Sequence, residues 1–209
     1  ERFVDDRAAL LRRYDARHSQ ERRERLRAFY ENWQDRLEEV DFDALDVEGR
    51  IDYVLLDNEL EYLLYELDRE AALYEEMRAF LPFAPTITRL HEARRNDPVV
   101  EARAAADTLN ALAAAIERTQ RAVASELDGE ARASRIVAFR AVNAIEDLRE
   151  TLEDWHGFYD GYDPLFTWWT KRPYEAADDA LRAYASFLRR EIVGVGEDGE
   201  VPIVGDPIG

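Results

Sequence analysis

Cysteine is absent from the 209-residue chain, which excludes disulfides, thiolate zinc sites, iron–sulfur clusters and a cysteine nucleophile. Histidine is scarce, with three residues, and Lys171 is the only lysine among 28 basic residues, a bias that reads as genome composition. No run approaches the about 18 consecutive apolar residues of a membrane span, and no positively charged start leads into an apolar signal core. A soluble chain without a membrane span is expected. The compartment stays open, since removal of a signal peptide before Glu1 would place the chain in the periplasm or outside the cell.

Basic charge is also in deficit. The formal charge of -18 comes from 46 acidic residues against 28 basic ones, so the overall field repels phosphate backbones and anionic lipid, and nucleic acid is excluded as a partner. Surface acidity of this kind mainly keeps proteins apart, with an acidic cleft for cationic peptides as the alternative. The apolar share of 46% is ordinary, while the 35% charged share exceeds the roughly 25% average and suits long amphipathic helices with solvated outer faces. The length fits one large domain or two small ones.

Apolar residues recur at helical spacing almost throughout. Leu26, Tyr30, Trp33, Leu37 and Val40 share one face of a helix capped near Ser19. From about Val47 to Phe80, Leu56, Leu60, Leu63, Leu67, Ala71 and Tyr74 continue a stripe that Ile51, Leu55, Tyr62 and Leu64 widen, a breadth that predicts packing against several neighbours. Pro82 and Pro85 break the pattern. A short segment follows around Ile87 to Arg95. Asp97 and Pro98 then predict the start of a helix with Ala106, Leu109, Ala113 and Ile116 inward, ending at Gly129. Val137, Ala141, Ala144, Leu148, Leu152 and Trp155 mark the next, ending at Gly157. Residues 155–173, with three of the four tryptophans, read as an aromatic loop, and Tyr174, Ala177, Leu181, Tyr184 and Leu188 form a last helix. The expected fold is all-α: an irregular bundle of about six or seven long helices spanning 1–191. A Gly/Pro-rich tail over 192–209 would be a linker or the opening of a following catalytic region.

Chemical motifs are sparse. His91-Glu92-Ala93-Arg94-Arg95 has the start of a zinc-binding H-E-x-x-H helix, but Arg95 stands where the second ligand belongs. Glu153 and His156 have the Glu-x-x-His spacing of di-iron bundles, which need a second such motif and two further glutamates. His18 carries no signal. The acidic run from Asp57 to Glu76 spreads around its helix and reads as a solvated face, and no serine lies in a G-x-S-x-G turn. No catalytic residue, metal ligand or cofactor is therefore assigned to the chain. The aromatic stretch remains as the candidate surface for substrate or partner: Tyr159, Tyr162, Trp168, Trp169, Lys171, Arg172 and Tyr174, with Arg172 suited to a carboxylate. The competing reading is an aromatic segment pinned into the core.

The string Gly157-Phe158-Tyr159-Asp160-Gly161-Tyr162-Asp163-Pro164-Leu165-Phe166-Thr167-Trp168-Trp169 is followed by Pro173-Tyr174 and the closing Gly205-Asp206-Pro207-Ile208-Gly209. Together with Phe42-Asp43-Ala44-Leu45 and Gly49-Arg50-Ile51-Asp52-Tyr53-Val54-Leu55-Leu56, it resembles the bacterial domain-of-unknown-function 885 family. The resemblance implies a helical zinc metallopeptidase-like protein whose H-E-x-x-H motif lies downstream of these residues. On that basis the chain would be its N-terminal scaffold and part of its substrate channel, non-catalytic by itself. Its partners would be a C-terminal catalytic half and a peptide substrate, and zinc would belong to the longer protein. The alternative is a stand-alone helical interaction module.

Overall fold

The computed structural model describes residues 1–96, 99–127 and 134–194. Seven α-helices account for most of them: α1 Arg2–Arg13, α2 Gln20–Glu38, α3 Val47–Met77, α4 Ala84–Asn96, α5 Ala102–Leu127, α6 Arg135–Tyr159 and α7 Pro164–Phe187. Short 3-10 turns occupy Phe42–Ala44 and Arg78–Phe80, and a π-helical turn spans Leu188–Val193. Among the described residues there is no strand, in keeping with the all-α expectation. The chain divides into two compact units, Glu1–Glu75 and Glu76 onward.

In the first unit, α1, α2 and the greater part of α3 enclose an aliphatic and aromatic core. Ser19 caps α2 as expected, its Oγ accepting from the Arg22 amide at 3.1 Å. Leu26 and Tyr30 from α2, Leu60, Leu63 and Leu67 from α3, and Phe3 from α1 are buried together. Phe3 stacks on Phe29 at 5.7 Å and meets Trp33 edge-on at 5.5 Å, arrangements that satisfy the ring quadrupoles. The breadth of the α3 stripe has a different meaning from the one its sequence suggests. Leu60, Leu63 and Leu67 go inward, but Ile51, Leu55 and Tyr62 emerge on the opposite side of the helix and stay exposed.

In the second unit, α4 packs on α6, α5 along α7, and α6 against α7. The small inward residues of α5 and α6, among them Ala105, Ala106, Ala113, Ala138, Ala141 and Ala144, are buried and bring backbones close. Tyr184 is fully buried, and its hydroxyl donates to the Phe80 carbonyl at 3.1 Å. That bond ties the 3-10 turn after α3 to α7 and leaves neither polar group orphaned.

Three boundaries differ from the sequence reading. Asp97, Pro98 and Gly129 lie outside the described residues, as does the tail from residue 195. The described start of α5 is Ala102, where the Glu101 carboxylate accepts from the amides of Arg103 at 3.1 Å and Ala104 at 2.6 Å, so a glutamate satisfies the first turn. Gly157 lies inside α6, which runs on to Tyr159. The aromatic loop is largely helix, because Pro164 opens α7 and Pro173 is accommodated within it. The terminal helical turn continues to Val193 before Gly194 takes a left-handed φ of 79°, a conformation that glycine adopts without a Cβ clash.

The two faces of α3 differ in their cost of truncation. Leu60→Ala, at a fully buried position, should destabilise by roughly 2–5 kcal/mol through lost burial and the cavity left behind. Leu55→Ala, at a site 62% exposed, should change stability by less than about 0.5 kcal/mol. Urea unfolding of both variants, followed by circular dichroism, checks the contrast; equal losses would show that the outer face is not free.

Candidate functional site

The candidate site is built by the turn from α6 into α7. Gly161 supplies a φ of 77°, and its amide donates to Thr167 Oγ1 at 3.0 Å. Asp163 caps α7, its Oδ1 accepting from the Leu165 amide at 2.9 Å, and Pro164 takes the first helical position, where its missing N–H costs nothing. The phase of α7 is thereby set. Phe166, Thr170, Ala177, Leu181 and Tyr184 point into the unit, while Leu165, Trp168, Lys171 and Arg172 point out.

An open cleft of about 920 Å³ lies along this outer face, lined by Gly161, Thr167, Trp168, Trp169, Lys171 and Arg172 among others. The two indoles meet edge to face at 5.0 Å. Arg103, from α5, sits 5.8 Å from the Trp169 ring centre, a cation–π approach that helps to orient the indole. Trp168 is 73% exposed. Lys171 and Arg172 are exposed and carry no ion pair to a described residue. Pro173 also borders the cleft, and it has no amide proton to give the Trp169 carbonyl one turn back.

Beneath the cleft lies a buried aromatic layer. Trp155 contacts Phe166 edge-on at 5.6 Å, and Tyr159 approaches Phe166 at 5.1 Å. His156 stacks on Tyr174 with centroids 4.0 Å apart and planes 10° from parallel. The Thr170 hydroxyl donates to the Phe166 carbonyl at 2.7 Å, so its oxygen is left to accept from His156 Nε2–H at 3.1 Å, which fixes the proton on Nε2. Burial pushes the His156 imidazole below its ordinary value, against a smaller upward pull from Asp160. Burial also raises Tyr174, aided by the charges of Asp178 and Glu153.

A charged clamp holds α7 to α6 beside this layer. Arg149 reaches both oxygens of Asp178, at 2.9 and 3.4 Å, and Arg182 donates to the same carboxylate at 2.5 Å. Burial alone would lift Asp178, but the two arginines outweigh it and hold the carboxyl below its ordinary range. The hydrogen bond to Asp178 in turn raises Arg149. Glu146 adds bonds to Arg149 at 2.7 Å and Arg189 at 3.1 Å, extending the clamp to the terminal turn.

The residues singled out from sequence are thus divided between two layers. Trp168, Trp169, Lys171 and Arg172 line the cleft. Tyr162 stands 90% exposed in the turn, whereas Tyr159 is buried and Tyr174 half-buried in the aromatic layer. Sequence reasoning did not pick out Arg103 or the exposed Leu165 and Phe158. Arg103 comes from a helix more than sixty positions earlier in the chain, and no local pattern points to it.

His91 and His156 are both engaged by neighbours within the second unit. His91 is buried and its Nε2 accepts from Arg94 at 3.0 Å, while Arg95 pairs with Glu92. His156 is committed to Thr170 and Tyr174, and Glu153 is exposed. Among the described residues no group of three or more His, Asp or Glu could hold a metal ion.

The model of the family described as a bacterial protein of unknown function, DUF885, matches residues 8–205. No curated protein and no solved structure matches the chain.

The burial of His156 gives stability a pH dependence of definite sign. As pH falls through the ordinary histidine value of about 6.5, the unfolded chain takes up a proton that folded His156 resists, so stability falls until the folded group also titrates. In thermal melts between about pH 7 and 5, His156→Gln should flatten this part of the slope whatever its effect on absolute stability. An unchanged slope would mean that His156 is protonated as easily folded as unfolded.

Proposed function

Because the chain belongs to this bacterial family of unknown function, DUF885, we propose that residues 1–209 form a helical, non-catalytic part of a zinc-dependent peptidase-like protein, with the cleft on α7 as a wall against which peptide is held. One observation carries the reading. In a chain of net charge -18, Lys171 and Arg172 are exposed beside Trp168 and Trp169 without an ion pair to any described residue. Uncommitted cations next to exposed indoles suit a ligand that is anionic at one end and apolar at the other, as the C-terminus of a peptide is. A guanidinium binds a carboxylate in two-pronged fashion, and an indole offers a wide rigid face at little conformational cost. Zinc and the water that it would activate belong, in this reading, to a catalytic half outside these residues.

Two measurements test the proposal. Binding of a short peptide with an aromatic last residue and a free carboxylate, read by tryptophan fluorescence, should weaken about tenfold in Arg172→Ala and in Trp168→Ala, equivalent to about 1.4 kcal/mol. Amidation of the peptide should cost the wild type a similar factor and Arg172→Ala almost nothing. If the amidated peptide binds the wild type equally well, the cleft is not a carboxylate site. Zinc content and peptide hydrolysis should be found in a longer gene product and not in residues 1–209. Stoichiometric zinc on residues 1–209, or a gene product that ends at Gly209, would overturn the scaffold assignment and leave an interaction module or a metal-binding bundle.

A further inference from the structure

In the first unit, α3 is apolar on two opposite faces. The inner face, with Leu60, Leu63 and Leu67, is buried. On the outer face Ile51, Leu55, Asn58, Tyr62 and Tyr65 follow one another at spacings of four, three, four and three, which keeps them in line along the helix. Val47 and Val54 extend the line, and its six large apolar side chains are each between 48% and 74% exposed. The stripe runs roughly 27 Å at 1.5 Å per residue. A contiguous apolar strip of this length, bordered by polar residues, marks an interaction surface.

The borders say what kind of partner fits. Helical geometry places Glu48, Asp52 and Glu59 along one edge and Glu61 on the other, and all four are exposed with no ion pair to a described residue. The cations nearby are already engaged. Arg50 is turned back onto the Asp43 carbonyl at 2.7 Å and the Leu45 carbonyl at 3.1 Å, and Arg69 is held by Glu66 at 2.9 Å. A second copy of the chain would bring the same carboxylates against these, and an anionic lipid surface would be repelled, since like charges facing each other oppose association.

We infer that the outer face of α3 docks a basic amphipathic helix. The partner's apolar side lies on Ile51, Leu55 and Tyr62, and its lysines or arginines reach the carboxylates on either edge, the helix-on-helix mode in which anchors recur at three- and four-residue spacing. Asn58 places one amide within the stripe, where a polar partner residue would set the register. The inference stands or falls independently of the peptidase reading.

The probe is a synthetic amphipathic helix of leucine and lysine, about 18 residues long to match the stripe, compared with a scrambled peptide of the same composition. The full chain should bind the amphipathic peptide more tightly than the scrambled one, and less tightly as salt is raised. The charge-neutral variant Ile51→Ser/Leu55→Ser/Tyr62→Ser should lose at least tenfold in affinity with an unchanged circular dichroism spectrum. Glu48→Gln/Glu59→Gln should weaken binding and flatten its salt dependence. Equal binding of the scrambled peptide, or wild-type affinity in the serine variant, would show general attraction to an acidic protein and overturn the inference. So would sedimentation showing a dimer of the chain that the serine substitutions dissolve, since the face would then belong to a second copy.

Discussion

The inward register of α7 governs the second unit. Asp163 and Pro164 start the helix at one residue and no other, and from that start Phe166, Thr170, Ala177, Leu181 and Tyr184 fall on the buried side. Three of them find a specific neighbour: Phe166 meets Trp155, Thr170 receives His156, and Tyr184 reaches the Phe80 carbonyl. The Asp178 carboxylate, gripped by Arg149 of α6, keeps the helix from rotating about its axis. Rotation by a single residue would bury Lys171 or Arg172 without partners and expose Thr170, an arrangement made costly by charge desolvation. The cleft is the outward consequence of that inward constraint, which sets where its indoles and cations stand.

Much of this architecture is legible in the sequence because helical periodicity is a property of the chain itself. The inner stripes of α5 and α6, the Ser19 cap and the break at Pro82 all follow from local patterns, and of the strings that carry the family resemblance all but the last four residues, 206–209, fall within the matched span. The aromatic stretch is where local reasoning fails. Gly157 and Pro173 are both strong punctuation on paper, yet Gly157 is absorbed because its neighbours Trp155, His156 and Tyr159 gain more from the buried ring layer than glycine loses in helix propensity. Pro173 is tolerated where the helix borders an open cleft rather than the core. Four of the seven site residues expected from sequence line that cleft, and Arg103 joins them from α5 only through tertiary packing.

The two-faced character of α3 shows a further limit of pattern reading. Helical spacing separates two stripes on opposite sides of a long helix, but it does not say which of them a neighbour covers. Charge resolves the ambiguity after the fact. The buried side of α3 has its border closed by cross-helix pairs such as Arg27 with Asp68 and Arg22 with Glu70, while Glu48, Asp52, Glu59 and Glu61 on the outer side make no ion pair to a described residue. Seen this way, the acidity of the chain is not uniform solvation: part of it is concentrated along a single apolar line.

The composition leaves an unusual chemical handle. Lys171 is the one lysine in the chain, and it is exposed on the wall of the cleft beside Trp168 and Trp169. An amine-selective reagent therefore has a single side-chain target in the whole molecule, within energy-transfer range of two indoles. A dye, crosslinker or spin label attached there would sit on the surface of interest without any engineered residue, and whatever occupies the cleft would shield that amine from acylation.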